Sequence, residues 1–268
     1  MSRFVTIANI NKAFKKVGIK KNDSVFLMNE LFRIGKIKNI NSAQRNYSTY
    51  LNTFIKYFNK NGTLSMNTYN FETLRFNKNS NYNEKKTSAG KLAEIFLKNK
   101  SVLRSTHPVF SISSIGSKKK FICNNNSQHN YGKNSPYERL LQINSVILNL
   151  GGNIIYNPFL HCAEHACGVP YFYNKIFKKN FYKNGKKIKK KFVSFMKYQN
   201  LDFEYDHKKI EKVLKTKKIL KEVKLGLGYL TACNAKSFYN TLIQILQKDI
   251  HGLLKRKPNY NNNQFPII

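Results

Sequence analysis

Residue types that take part in chemistry gather between positions 104 and 164 of the chain. They are, in order, Arg104-Ser105-Thr106-His107-Pro108, Ser111, Gly132-Lys133-Asn134-Ser135-Pro136-Tyr137 and His161-Cys162-Ala163-Glu164. Residues that pack a core recur with the period of a helix or a strand, and these do not. Histidine is the side chain best suited to move a proton near neutral pH. The stretch therefore predicts a functional site rather than part of a core.

The end of this stretch also contains residue types that bind zinc. They are His161, Cys162, Glu164, His165 and Cys167. Their spacing is not one of the standard zinc spacings, and all ligands would come from one short segment. Zinc is therefore the less favoured interpretation, and no metal is predicted.

The chain is strongly basic, with a formal net charge of +35. Such a charge invites a nucleic-acid interpretation. Only 7 of the 48 basic residues are arginine, however, and the lysines are spread along the chain beside asparagines. This pattern indicates a genome biased toward A and T. We expect weak, salt-sensitive adsorption to polyanions and no specific nucleic-acid partner.

The length and composition fit one globular domain with a sizeable core. The chain has 268 residues, of which 41% are hydrophobic. We expect a single domain over residues 1–257 and a disordered, Asn-rich tail over residues 258–268. No apolar run reaches the roughly 18 residues of a membrane helix, and the start lacks a signal-peptide pattern. Four cysteines do not make a disulfide framework in a chain this long, so the cytoplasm is the expected location.

The first half of the chain reads as alternating helices and strands. Apolar patterns predict a strand over residues 24–28, a helix from Ser42 to about residue 58 and a strand over residues 63–66. Such a strand–helix–strand unit builds a parallel layer with helices on its faces. Further helices are expected over residues 4–17, 88–97 and 138–143, with a buried strand over 146–150. The predicted fold is α/β, with a mixed or parallel central sheet flanked by helices.

The second half adds a hairpin. Two extended runs, residues 171–181 and 186–198, flank Asn184-Gly185, a strong signal for a tight hairpin turn. In such a hairpin the lysine run 186–191 is expected to lie on a solvent-exposed strand face, and not to line a nucleic-acid groove. Helices are expected over residues 208–220 and 236–254.

Several motifs occur in the same order and spacing as in one known family. They are Gly62-Thr63-Leu64-Ser65-Met66-Asn67-Thr68, Gly90-Lys91-Leu92-Ala93-Glu94, Arg104-Ser105-Thr106-His107-Pro108 with Ser111, Ser135-Pro136-Tyr137 and His161-x-x-Glu164. Together they resemble the aminoglycoside N3-acetyltransferase family, also called the antibiotic N-acetyltransferases. The resemblance implies an acyltransferase of antibiotic resistance. Its co-substrate would be acetyl-CoA, and its acceptor an amine of an aminoglycoside or a related amino sugar.

The resemblance also implies roles for individual residues. His161 stands at the family's general base, and Glu164 would hold its tautomer and stabilise the imidazolium. Arg104, Ser105, Ser111, Ser135 and Thr68 are the predicted acetyl-CoA contacts. His107 belongs to one of the motifs of the predicted site. In the alternative interpretation it only caps or hydrogen-bonds a loop.

The acceptor side departs from the family. Met28-Asn29-Glu30-Leu31 stands where the family usually has His-Ser-Ser-Leu. The carboxylate of Glu30 could bind an ammonium group, and Asp202 and Asp206 could add an acidic lip. In the alternative interpretation these two aspartates only neutralise nearby lysines. The competing function is a non-enzymatic, polyanion-binding protein on the same fold, which would require the site residues to be lost.

Overall fold

The computed structural model describes residues 4–58, 61–72, 79–177 and 180–260. Its helices are α1 (Ile7–Lys16), α2 (Ala43–Phe58), α3 (Lys91–Lys98), α4 (Lys119–Cys123), α5 (Pro136–Gln142), α6 (Pro158–Cys167), α7 (His207–Thr216) and α8 (Ala235–Lys248). Its strands are β1 (Phe4–Val5), β2 (Ser24–Asn29), β3 (Lys36–Ile37), β4 (Thr63–Asn67), β5 (Ser80–Asn81), β6 (Leu103–Arg104), β7 (Ile112–Gly116), β8 (Val146–Leu150), β9 (Phe172–Ile176), β10 (Phe181–Lys183), β11 (Lys186–Lys187), β12 (Val193–Lys197), β13 (Lys221–Leu225) and β14 (Gly228–Asn234). None of these helices is long and apolar enough to cross a membrane.

A seven-stranded sheet forms the centre, in the order β13-β14-β8-β2-β4-β7-β6. The three middle strands are parallel, since β2 pairs in parallel with β4 on one side and with β8 on the other. The outer strands are antiparallel to their neighbours. The predicted mixed α/β sheet and the predicted strand–helix–strand unit, β2-α2-β4, are both confirmed.

Helices cover both faces of the sheet because the central strands are apolar on both sides. Val25 and Leu27 of β2 pack with the buried faces of α1, α2 and α3. Phe26, between them, points the other way and packs with residues of α5, α6 and α8. This alternation is the period of two expected of a strand. It fixes α6, which carries the predicted base, against the sheet.

The predicted turn at Asn184-Gly185 is confirmed, and the hairpin is shorter than predicted. Both residues have positive φ, 51° and 72°, and β10 pairs antiparallel with β11 across them. A second antiparallel pair, β9 with β12, lies outside it. Strand β10 also pairs in parallel with β5, far back in the chain. The extended runs therefore form two short ladders, and Lys186 and Lys187 are exposed.

Two predicted helices end earlier than expected. Helix α8 ends at Lys248, because Asp249 is extended with φ −150°, and residues 250–253 form turns. Helix α7 ends at Thr216, with Lys218 at positive φ just beyond it. In the predicted tail, the Tyr260 hydroxyl lies 2.7 Å from His251 Nε2. Residues 261–268 of that tail lie outside the described residues.

Candidate active site

A polar pocket opens at the carboxyl ends of the three parallel strands. In a sheet where β2 has parallel neighbours on both sides, this edge is where ligands usually bind. The pocket encloses about 170 Å³. The polar side chains that line it are Asn29, Glu30, Asn67, Tyr69, Asn149, Asn153 and Tyr156.

Helix α6 positions the predicted base and its partner beside this edge. Asn157 caps its first turn by accepting a hydrogen bond from the Phe159 N–H, and Pro158 fills the next position. Gly168 ends the helix in the left-handed conformation, φ 64°. His161 and Glu164 stand three residues apart and so share one face.

His161 and Glu164 are hydrogen-bonded. Nδ1 of the imidazole lies 2.7 Å from Oε2 of Glu164, whose side chain is 0% exposed, whereas that of His161 is 33% exposed. A carboxylate oxygen only accepts, so Nδ1 carries the proton. The lone pair of His161 is therefore on Nε2, the nitrogen that a general base must use.

A tyrosine that the sequence did not single out completes this arrangement. The Tyr205 hydroxyl donates to Oε1 of Glu164 over 2.9 Å. Burial, and the nearby charge of Glu164, raise the pKa of Tyr205 well above its usual value, so the phenol remains protonated. Both oxygens of the buried carboxylate thus have a donor, which a buried charge requires.

Aromatic rings surround the imidazole and connect it to the pocket. The rings of Phe172, Tyr131 and Tyr205 lie 5.4, 5.9 and 6.4 Å from that of His161, centroid to centroid. The Tyr131 ring lies 5.2 Å from that of Tyr137. The Tyr137 hydroxyl donates to Asn67 Oδ1 over 2.7 Å, and Asn67 lines the pocket. His161 does not itself line the pocket, and two tyrosines connect its ring to Asn67 in the lining.

Three of the predicted acetyl-CoA contacts meet in one buried network. Arg104 donates from Nε to Ser111 Oγ over 2.8 Å and from Nη2 to the Thr68 carbonyl over 2.9 Å. Its Nη1 reaches the Glu84 carbonyl at 3.2 Å. The Ser111 hydroxyl donates to the same Thr68 carbonyl over 2.8 Å. The network joins the loops that follow β4 and precede β7.

The other two predicted acetyl-CoA contacts are also buried, and each holds a backbone N–H. Ser105 Oγ accepts from the Ile112 N–H over 2.9 Å. Ser135 Oγ caps α5 by accepting from the Glu138 N–H over 3.1 Å. Their roles toward acetyl-CoA stay predictions.

His107 holds a loop, as its alternative interpretation had it. Its Nδ1 accepts from the N–H groups of Val109 and Phe110, so Nε2 carries the proton and lies 3.1 Å from the Val193 carbonyl. Burial lowers the pKa of His107 to about 3. The imidazole is therefore neutral at physiological pH and joins the loop before β7 to β12.

The three predicted acceptor-binding acids are not brought together. Glu30 lines the pocket, and its Oε2 lies 2.6 Å from Arg33 Nε. Asp206 caps α7 by accepting from the Lys209 N–H, and Asp202 is exposed; neither lines the pocket. In the extended segment 201–205, Leu201 and Phe203 are buried while the acids alternate outward. That period of two was the available signal that Tyr205 points inward.

The zinc interpretation gains nothing from the structure. Cys162 is buried in the core, and burial raises the pKa of its thiol well above the usual value. Among the described residues, no group of three or more His, Cys, Asp or Glu side chains could hold a metal ion.

A family comparison decides the class of protein. The model of the aminoglycoside 3-N-acetyltransferase family matches residues 34–247. The chain belongs to this family. It is an acyltransferase, as the motifs predicted. No curated protein sequence matches the chain.

Solved structures of the family share the fold. The apoenzyme of aminoglycoside acetyltransferase AAC(3)-IVa is 17% identical, with a TM-score of 0.75 over 96% of this chain and 93% of that one. AAC-IIIb, solved as a binary complex with CoASH, is 16% identical, with a TM-score of 0.75 over 91% and 97%. A mutant of AAC(3)-IVa in complex with apramycin is 17% identical, with a TM-score of 0.73 over 93% and 95%. The predicted fold class is confirmed by these likenesses.

Proposed function

We propose that this enzyme transfers the acetyl group of acetyl-CoA to an amine of an aminoglycoside or related amino sugar. The observation that carries the proposal is the 2.7 Å bond between His161 Nδ1 and the buried Glu164 carboxylate, beside the pocket. That bond leaves Nε2 as the free base. Family membership supplies the reaction class.

In the proposed reaction, the acceptor amine attacks the thioester carbonyl carbon while His161 Nε2 takes its proton. An amino sugar is largely protonated at neutral pH, and an ammonium group has no lone pair with which to attack. The reaction therefore starts from the small neutral fraction of the amine, whose proton His161 takes as the C–N bond forms. The tetrahedral intermediate then collapses, the C–S bond breaks, and the imidazolium returns the proton to the CoA thiolate. Glu164 stabilises the imidazolium meanwhile.

Acetyl-CoA as co-substrate is supported by the complex of AAC-IIIb with CoASH. Arg104 is the first candidate for its phosphates. A guanidinium has five N–H donors, and the bonds to Ser111, Thr68 and Glu84 leave further N–H groups to meet an anion. Thr68 and Ser105 are candidates for contacts nearer the developing oxyanion.

The direct test is acetyl transfer from acetyl-CoA to a panel of amino sugars and aminoglycosides, with products identified by mass spectrometry. Mass spectrometry is preferred to thiol reagents because the enzyme has four free cysteines of its own. We expect an N-acetylated product and one equivalent of CoA. Absence of product from every amine, with folded enzyme, would contradict the proposal.

The polyanion-binding alternative finds no support in the comparisons. It required the site residues to be lost, and His161, Glu164 and Arg104 are all present and hydrogen-bonded.

A further inference from the structure

The pocket beside β2, β4 and β8 is lined by amides rather than by carboxylates. Four asparagines line it, namely Asn29, Asn67, Asn149 and Asn153. Among the described residues, Glu30 is its only carboxylate. An amide both donates and accepts hydrogen bonds, so it suits the hydroxyl groups of a sugar, whereas ammonium groups prefer anionic partners.

The single carboxylate already has a cationic partner. Glu30 Oε2 lies 2.6 Å from Arg33 Nε on the adjacent turn. A side chain at Gly152 would approach within 2.9 Å of Glu30 Oε1 and 3.1 Å of Asn149 Oδ1, so glycine there allows the carboxylate to lie against the amides. Because Arg33 already neutralises part of its charge, Glu30 can pair with one ammonium group of an acceptor but not with several.

The other acids predicted for the site do not line the pocket. Glu164 is buried between His161 and Tyr205, Asp206 caps a helix, and Asp202 is exposed away from the lining. The whole chain, at +35, repels a polycation at long range. The enclosed volume, about 170 Å³, is also below the roughly 300 Å³ at which pockets for drug-sized ligands begin.

We propose that the acceptor of this enzyme is a small sugar with one amino group and several hydroxyl groups, rather than a polycationic aminoglycoside. The inference rests on the proposed function and narrows its substrate class. Glu30 attracts the ammonium form of the amine as the sugar approaches, and the asparagine amides recognise its hydroxyl groups. The same amine then reacts in its neutral form at His161 Nε2.

The test compares glucosamine, with a single amine, and apramycin, with several, under steady-state conditions at about 0.05 M and about 0.5 M salt. We expect kcat/KM for glucosamine to exceed that for apramycin at least about tenfold at low salt. At high salt the ratio of the two kcat/KM values should fall, because salt screens the repulsion between the enzyme and the polycation. Equal or better use of apramycin at low salt would overturn the inference while leaving the proposed function intact. The proposed function itself would be contradicted only if neither of these amines, nor any other amine of the panel, were acetylated.

A variant with an added negative charge tests whether this pocket is where the enzyme distinguishes the two acceptors. Asn153 Oδ1 accepts from the Ile155 N–H over 2.9 Å, a bond that Asn153→Asp keeps. The new carboxylate should raise kcat/KM for apramycin about two- to fivefold at low salt, the usual range for an exposed ion pair.

The matched control is Asn99→Asp, beyond the end of α3. Asn99 Oδ1 makes the same kind of bond, to the Ser101 N–H over 2.9 Å, and it does not line the pocket. Both variants lower the net charge by the same amount. An equal effect of the two would show that only the overall charge matters, and would overturn the assignment of the acceptor to this pocket.

Discussion

Tyr205 donates a 2.9 Å hydrogen bond to Oε1 of Glu164, while His161 uses Oε2 of the same carboxylate. The two donors come from different elements, the extended segment before α7 and helix α6 itself. Together they fix the plane of the carboxylate and thereby the orientation of the imidazole.

Tyr205→Phe should therefore lower kcat several-fold with little change in KM for acetyl-CoA. The lost bond is a hydrogen bond to a buried charged group, worth about 1.5–3 kcal/mol. Tyr229→Phe, at a half-exposed tyrosine on β14, is the control, and the melting temperature is measured for both variants. A lower melting temperature with an unchanged kcat for the folded enzyme would mean that Tyr205 acts only through stability.

His161→Ala should leave acetyl-CoA binding intact and lower kcat by about 10²–10⁴, the usual contribution of a general base. Steady-state kinetics measure kcat, and calorimetry measures the binding of acetyl-CoA. His165→Ala, one turn further along α6, is the matched control and should have a much smaller effect, since its ring packs on His129 instead. If the two effects were reversed, His161 would not be the base.

Arg104→Ala should weaken acetyl-CoA binding and also lower the melting temperature, because Arg104 holds Thr68 and Ser111. The two effects are separated by the rise in melting temperature that acetyl-CoA gives each variant relative to its own unliganded value. Salt above about 0.2 M suppresses adsorption to the lysines. Arg104→Lys, which keeps the charge, should retain part of the ligand-induced rise. A full rise in Arg104→Ala would rule out a contact with the ligand.

Glu30→Ser should change the choice of acceptor more than it changes acetyl-CoA binding. The substitution removes the pocket's carboxylate and frees Arg33, so KM for the best amine should rise several-fold. Glu211→Gln, which breaks an exposed ion pair with Lys215 on α7, removes the same charge elsewhere. Similar acceptor kinetics in the two variants would contradict a role for Glu30.

His107 makes the stability of the fold depend on pH. Its pKa is about 3 when folded and about 6.5 in an unfolded chain, so the unfolded state binds more protons between these values. Stability is then fully present above about pH 6.5 and falls as the pH falls toward 3. In this window the free energy of unfolding should fall by up to about 1.4 kcal/mol more per pH unit in the wild type than in His107→Asn. Parallel curves from chemical denaturation would contradict the buried neutral state.

Local signals account for the parts of the structure that the sequence predicted. The unit β2-α2-β4, the Asn184-Gly185 turn and the pair His161 and Glu164 each depend on residues close together in the chain. A turn of helix brings positions three apart onto one face whatever the rest of the fold does. These features were therefore visible without any tertiary information.

The remaining features depend on contacts between distant segments. Tyr205 reaches Glu164 from another element, and β10 pairs with β5, since Phe181 lies opposite Ser80. Asp206 looked like part of an acidic lip, but its spacing to the Lys209 N–H makes it a helix cap. Only the inward orientation of Phe203 and Tyr205 shows which way that segment faces.

The position of β2 between β4 and β8 determines how the sheet can assemble while the chain is being synthesised. Val25 pairs with Leu64 soon after it leaves the ribosome, but its other partner, Val146, follows much later. At about 5–20 residues per second, one edge of β2 stays unpaired for on the order of ten seconds. An apolar edge exposed for so long is a site for misassociation with other nascent chains. A ribosome that stops before β8 leaves a product without Asn149, α6 or the proposed catalytic pair, so truncation yields an open sheet edge instead of a weakened enzyme.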